Sequence, residues 1–404
     1  QQGKLGNCGF AASLSALCVY PQLIKDLFLF PNANHLSDSN LAQRHNHNNH
    51  NFNENTVSPI GLYELRLCHN GIWRQYTIDD LIPCNYYGTP AFTAHENRNF
   101  LWVSLIEKCA AKAYGGYDRL ISFCKLNAFN DLTGCPVEEI DFDVFADGSD
   151  NSNALWKHLV DWSDNQYVVM TLAATKERSF KPISDLGIKG NHAFTFLRAM
   201  QVENIRLVQI RNPWGKCNSD VLDRWKGRYS RYNHEGEWTE TLKAIVGPGL
   251  DSNDGTFWMS MDDFVCYFRA ASICHLLSMD QSYKICRLNT KIRYHYNQEQ
   301  NSEDISYPKL ILDLTGSDTN AMDEMYLEWI GVQQENLRSQ YSTHHEYLDC
   351  CVLIAQLLYP NDVEKCGSDN PAYMRPLTVT ECRKSKSEFE KLFVELQRGQ
   401  KYVL

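Results

Sequence analysis

Gln2-Gly3-Lys4-Leu5-Gly6-Asn7-Cys8-Gly9-Phe10 sets a cysteine where a glycine-rich loop turns into an apolar run. Phe10, Leu14 and Leu17 follow at helical spacing, and Leu23, Ile24, Leu27 and Phe28 carry the pattern on, which predicts a buried helix and its continuation. A cysteine at a helix start lies at the positive end of the helix dipole, beside unpaired backbone N–H groups. That position favours the thiolate, the nucleophilic form. Gly3 and Gly6 let the backbone approach a carbonyl group, and the Gln2 amide can donate to an oxyanion at the same place. Taken alone, a cysteine opening an apolar helix is more often a small buried hydrophobe.

Two later stretches change that balance. In Gly190-Asn191-His192-Ala193-Phe194, a histidine stands beside small residues at the start of a strand pattern. A neutral imidazole there is a suitable base for a thiol; a core histidine is the plain alternative. In Arg211-Asn212-Pro213-Trp214-Gly215, an asparagine ends an alternating strand, and Pro213 cannot continue the ladder. An asparagine oxygen can accept from an imidazole N–H and hold its orientation. The strands HAFTFLRAM and IRLVQIRNPW are joined by a polar turn near Val202–Asn204, and a hairpin symmetric about residue 202 sets His192 opposite Asn212. Cys, His and Asn in this order, each in a suitable local setting, are hard to assemble by chance.

The chain has 404 residues, which suggests two to four compact units. It is 43% hydrophobic and 22% charged, enough for a packed core. A net charge of −10 and the absence of a Lys/Arg run argue against nucleic-acid binding. Fifteen cysteines, an odd number without regular spacing, read as reduced thiols in the cytoplasm and not as a disulfide framework. No apolar run has the length of a transmembrane segment. The start at Gln1, directly in a motif, reads as a piece cut from a longer protein, with regulatory domains outside this chain.

The stretch 32–56 is nearly free of large apolar groups and reads as a disordered insertion. His45, His47 and His50 within it could bind a metal, but a solvated Asn/His-rich loop is the simpler reading. Tyr63, Leu65 and Leu67 alternate up to the turn Asn70-Gly71, and the chain returns through Trp73 to Ile78, a β-hairpin. FLWVSLIEKCAAKAYGGYDRL is a strong helix stopped at Gly115-Gly116. Gly134-Cys135-Pro136 marks a boundary between subdomains 1–134 and 135–280. The second contains a helix at LWKHLVDWS and a buried strand at YVVMTLAAT. Residues 283–404 carry the β-rich runs KLILDLT, MYLEWIGVQ and CCVLIAQLLY, a separate β-sandwich-like domain.

Residues 1–278 resemble the protease core of the calpains, carried by Gln2 to Phe10, by HAFTF and by NPWG. Gly71-Ile72-Trp73, Ile78-Asp79-Asp80-Leu81-Ile82-Pro83, Phe100 to Gly116, Asp131-Leu132-Thr133-Gly134 and Asp254 to Phe264 follow in the family's order. The resemblance implies an α+β fold: a papain-like core of a helical and a β-barrel or sheet subdomain with the cleft between them. It implies a cytosolic cysteine endopeptidase that cleaves protein substrates at limited sites, usually under Ca²⁺ control. Within it Cys8 is the nucleophile, His192 the general base and acid, Asn212 the orienter, Gln2 the oxyanion donor, and Trp214 a cleft wall shielding the His–Asn pair.

Two departures stand out. Gly9 takes the place of the tryptophan that usually follows the family's cysteine. Where the family has acidic residues, this chain has Arg224 and Arg231, and Thr256 follows Asp254-Gly255, so the Ca²⁺ site of the second subdomain is weakened. Asp118 and Asp254 are the metal-ligand candidates that remain. A calpain-like scaffold without turnover is the alternative function. Acyl transfer of the transglutaminase type is disfavoured, because that chemistry pairs His with Asp and this chain has Asn212.

Overall fold

The computed structural model describes residues 1–30, 58, 60–69, 71–97, 100–122, 125–145, 151–175, 186–215, 225–230, 237–246 and 254–279, together with six later strands. The insertion 32–56 with its histidines, and Asp223, Arg224 and Arg231, lie outside the described residues. The chain divides into two compact units: Gln1–Ile285 with Leu337–Thr343, and Cys286–Asn336 with His344–Leu404.

In the first unit, helix α1 (Cys8–Leu17) is buried on nearly every side. A helix apolar all round belongs at the centre of a molecule, and α1 packs its Phe10, Leu14 and Leu17 with Leu65, Leu67, Ile106, Tyr114 and Phe129. The helix does not continue as the spacing predicts. Pro21 lacks an N–H and cannot extend it, so a new short helix α2 (Pro21–Lys25) starts there. Phe28 then enters strand β1 (Phe28–Phe30), which pairs antiparallel with β2 (Leu62–His69).

Strand β2 pairs with β3 (Ile72–Asp79) through a two-residue turn that joins His69 to Ile72. Gly71 has φ 73°, the left-handed backbone such a turn requires. Helix α3 (Trp102–Tyr114) ends at Gly115, whose φ of 91° accepts the left-handed cap. Helix α4 (Lys125–Thr133) completes this core with Phe129 and Leu132.

A six-stranded antiparallel sheet follows, in the order β4-β9-β5-β6-β7-β8. Its strands are β4 (Val137–Asp141), β5 (Val168–Ala174), β6 (Ala193–Val202), β7 (Ile205–Arg211), β8 (Thr256–Ser260) and β9 (Phe268–His275). Helix α5 (Asn151–Asp164) lays Leu155 and Leu159 on it, and α7 (Met261–Tyr267) adds Phe264 to a core with Leu172, Phe194, Ile210 and Phe268. Ser260 caps α7, its hydroxyl accepting from the Asp263 N–H at 3.1 Å. Helix α6 (Glu240–Val246) packs Leu242 and Val246 on Leu207 and Trp258.

The β6–β7 hairpin turns where the sequence places it, but its register differs. Val202 pairs with Ile205 across Glu203-Asn204, and an irregularity between Phe196 and Arg198 shifts the ladder so that Thr195 faces Arg211. The pairing is therefore not symmetric about residue 202: the turn itself is centred between Glu203 and Asn204, and the extra residue in β6 moves the register only part of the way back. Glu203 takes φ 52° in the turn.

The second unit contains β10 (Ile311–Asp313), β11 (Met325–Gln333), β12 (Cys350–Leu357), β13 (Met374–Cys382), β14 (Ser387–Leu396) and β15 (Lys401–Val403). They form two antiparallel sheets, β10-β15-β12-β13 and β11-β14. The runs KLILDLT, MYLEWIGVQ and CCVLIAQLLY contribute β10, β11 and β12. Among the described residues, no helix is long and apolar enough to cross a membrane.

Candidate active site

Helix α1 packs against β5 and β6 of the large sheet. The Thr195 hydroxyl of β6 donates to the Ala12 carbonyl of α1 at 2.9 Å. Arg211, the last residue of β7, donates to Ser15 Oγ on the same helix at 3.1 Å and to the Asp254 carbonyl at 3.2 Å. One guanidinium thereby fixes the cysteine-bearing helix, the asparagine-bearing strand and the loop before β8.

His192 precedes β6 and Asn212 follows β7, and both are buried. His192 Nε2 lies 3.0 Å from Asn212 Oδ1. The Trp214 backbone N–H also donates to Asn212 Oδ1, at 3.1 Å. An oxygen that accepts from the peptide is an acceptor for the ring as well, so the Nε2 carries the proton and Nδ1 presents a lone pair. The Trp214 indole stands with its ring centroid 4.6 Å from that of His192, tilted 46° to it. Trp214 Nε1 donates to Gln2 Oε1 at 3.0 Å, which directs the Gln2 amide N–H group away from the indole. The Gln2 backbone N–H donates to the Pro213 carbonyl at 2.8 Å, so the segment leading to Cys8 is bonded to the turn that carries Asn212. Cys8 itself is half-buried at the first position of α1.

Burial pulls the His192 imidazole down to about 4; the Asn212 bond opposes this and Lys189 adds to it. A lone imidazolium is disfavoured at this site, and a neighbouring anion would stabilise it.

Glu107, on the buried face of α3, belongs to none of the catalytic sequence motifs. Its carboxyl accepts from Asn7 Nδ2 at 2.6 Å and from the Thr93 N–H at 3.0 and 3.2 Å. Burial pushes it up to about 7, against those hydrogen bonds. The signal in the sequence was its place on the apolar stripe Val103, Ala110, Ala111 and Tyr114.

The two buried groups act on stability with opposite signs. An unfolded chain protonates His192 below its ordinary 6.5, while the folded one refuses the proton until about 4, so stability falls as the pH drops through that window. Glu107 ionises above its ordinary 4.5 when unfolded but only near 7 when folded, so its contribution is complete below 4.5 and lost as the pH rises through 7. Relative to the parent, the melting temperature of Glu107→Gln is expected to climb more steeply between pH 4.5 and 6.5. That of His192→Ala is expected to climb less steeply over the same range. Parallel profiles by scanning fluorimetry would contradict both shifts.

The metal-ligand candidates sit in separate settings. Asp118 lies in a 3₁₀ turn, exposed, with its carboxylate 3.3 Å from Arg119 Nε. The Asp254 carboxylate accepts from the Thr256 N–H at 3.0 Å. Among the described residues no group of three or more His, Cys, Asp or Glu side chains gathers as a metal site.

A family model described as "Calpain family cysteine protease" matches residues 1–275. The chain is 33% identical over 287 residues to the calpain-type cysteine protease ADL1 of Oryza sativa subsp. japonica, covering 70% of this chain and 12% of that protein. It is 32% identical over 285 residues to the calpain-type cysteine protease DEK1 of Arabidopsis thaliana, with 70% and 12% covered. It is 29% identical over 279 residues to human calpain-14, with 68% and 35% covered. The chain thus matches about an eighth of the plant relatives' length and about a third of the human one. A match across two thirds of the chain, reaching from the Cys8 segment through both strands of the His192–Asn212 hairpin, places this protein in the calpain family of cysteine proteases.

Proposed function

We propose that the protein is a cytoplasmic calpain-type endopeptidase that cleaves protein substrates at limited sites, with Cys8 as nucleophile, His192 as base and acid, and Asn212 as orienter. The observation that carries this reading is the His192–Asn212 bond of 3.0 Å, which leaves Nδ1 free to take a proton. The Cys8 thiol gives its proton to Nδ1, and the sulfur attacks the scissile carbonyl. The oxyanion forms against the Gln2 side-chain amide and the Cys8 backbone N–H at the positive end of α1. His192 then protonates the leaving amine, which departs and leaves a thioester on Cys8. Water, losing a proton to the same imidazole, hydrolyses the thioester and restores the thiol. Burial of His192 favours the neutral ring at rest, the form this sequence of transfers begins from.

Papain-like lobes are the fold that goes with this reading, one around the α1–α4 core and one around the six-stranded sheet, at about 1–134 and 135–280. The two sheets of the second unit would pair as a β-sandwich across 283–404. The free thiols Cys8, Cys68, Cys109, Cys135 and Cys274 suit a reducing compartment. Limited cleavage of casein that a thiol-blocking reagent abolishes would support the assignment; cleavage that survives the reagent would contradict it.

The second subdomain, on this reading, takes no Ca²⁺ at the position its relatives would use. Arg224 and Arg231 stand where acids are needed and keep their charge at any physiological pH. Nearby, the carboxylate of Glu237 is already engaged by Arg228 at 3.0 Å and by the Tyr229 N–H at 2.8 Å. Any Ca²⁺ response would arise on the Asp118 side. Calorimetric titration with Ca²⁺ is expected to show no binding that Asp254→Ala removes. A micromolar isotherm abolished by that substitution would show that the site survives.

A further inference from the structure

Asn7 occupies the N-cap position of α1, and its carbonyl accepts the first helical bond from the Ala11 N–H at 3.1 Å. Asparagine is among the best capping residues because its side-chain oxygen reaches the free N–H groups of the first turn. Here the side chain makes no such bond. It turns the other way and donates to Glu107, leaving Asn7 Oδ1 buried without a hydrogen-bond partner. A forgone cap and an unpaired buried acceptor are each destabilising. Local rules broken at a cost in stability are a mark of functional positions.

The other side of Glu107 explains what is gained. Its carboxyl also holds the Thr93 N–H, and the loop around Thr93 is bonded to the Gln1–Lys4 stretch. The Lys4 N–H donates to the Ala91 carbonyl at 3.1 Å, and the Ala94 N–H donates to the Gln1 carbonyl at 2.9 Å. Gly3 lies so close that a Cβ there would meet the Ala91 oxygen at 2.4 Å. The Ser104 hydroxyl of α3 secures the loop from beneath through the Thr93 carbonyl at 2.9 Å. One carboxyl thus ties the Cys8 end of the segment to the loop that holds its Gln2 end.

We propose that Glu107 is a positioning residue that fixes the spacing between the Gln2 amide and the Cys8 backbone N–H, the two donors of the oxyanion site. It touches neither substrate nor sulfur and acts through Asn7 and Thr93. The assignment rests on the peptidase reading above. A donor pair held rigidly at the right separation stabilises the tetrahedral intermediate more than the bound substrate, so its loss lowers kcat more than it raises KM.

Three variants test this: Glu107→Ala, Asn7→Ala and the double substitution, with peptide cleavage, thermal melts and the rate of Cys8 alkylation by iodoacetamide measured on each. Alkylation forms no oxyanion, so it reports the thiol alone. Glu107→Ala is expected to lower kcat about ten-fold or more, with KM and the alkylation rate changed by no more than about two-fold. The double variant is expected to match the worse single one, because the two side chains act as a unit. Glu107→Gln, which keeps an acceptor for Asn7, is expected to regain most of the kcat. If Glu107→Ala does not fold, Asn7→Ala carries the same expected loss. Unchanged kcat in folded Glu107→Ala or Asn7→Ala, additive losses in the double variant, or an alkylation rate that falls with kcat would overturn the positioning role. Failure of the peptidase reading looks different: cleavage would then persist after complete alkylation of Cys8.

Discussion

Cys8→Ala is expected to cleave no casein at all, and His192→Ala to lose activity by roughly ten-thousand-fold or more. The two residues form one device. Without the sulfur no acyl intermediate forms, and without the imidazole the thiol keeps its proton and the leaving amine receives none. Asn212→Ala differs in kind. Its Oδ1 holds both the His192 Nε2–H and the Trp214 N–H, so its removal frees the ring to rotate and loosens the turn without deleting a reacting atom. A misdirected base costs on the order of a hundred-fold, so Asn212→Ala should remain a measurable but weakened enzyme. Initial rates against one peptide, with melting curves to establish folding, would rank the three. An Asn212→Ala protein as dead as Cys8→Ala would show that the asparagine does more than orient.

The second large effect is expected at a residue that supplies no reacting atom, Gly255. Its carbonyl accepts from the Asn212 N–H at 2.9 Å, and a Cβ on it would stand 2.5 Å from the Asn212 carbonyl oxygen and 3.1 Å from the Gly215 Cα. Its φ of 91° is also a conformation that L side chains rarely adopt. Both contacts are backbone, held by Pro213 and by the Gly215 N–H to Asn212 carbonyl bond of 3.0 Å, so neither can swing aside. Gly255→Ala should therefore push the Asn212 turn off the imidazole. The expected outcome is a loss of roughly a hundred-fold in kcat and about 1–3 kcal/mol in stability. Gly88→Ala provides the control. That glycine has a similar φ of 71° but nothing within 4 Å of the added Cβ, so it should lose stability and keep its activity. Equal activity losses in the two variants would show that the contact with Asn212 carries no function.

Much of this was legible in the sequence where the cause is local. Gly71 and Gly115 mark their turns because only glycine enters the left-handed region freely. Pro213 ends β7 because it cannot pair, which leaves Asn212 at the strand's mouth. Two local features depart from the pattern around them. Pro21 stood in plain view as a helix breaker inside an apolar pattern that favoured continuation. The hairpin turns at Glu203-Asn204, later than the expected centre at residue 202, and the extra residue between Phe196 and Arg198, which has no sequence signature, shifts the register again. What the sequence could not carry at all are bonds between distant positions. Asn7 and Glu107 are 100 residues apart, and Trp214 and Gln2 are 212 apart. A glutamate on the apolar side of α3 announces that it must find donors, but not which ones. The choice between capping α1 and reaching Glu107 is likewise made by packing, since Asn7 alone would have been expected to cap.

The central claim is that a single thiol, Cys8, carries out the reaction. A peptidyl epoxide, which alkylates a thiol only where a bound peptide and an activating base meet it, tests this most directly. The chain has 15 cysteines, so the label has many wrong places to go. The expected result, by peptide mapping, is one label per molecule on Cys8, with casein cleavage lost in proportion and labelling abolished in His192→Ala. A label on any other cysteine, or full cleavage by protein labelled at Cys8, would contradict the account.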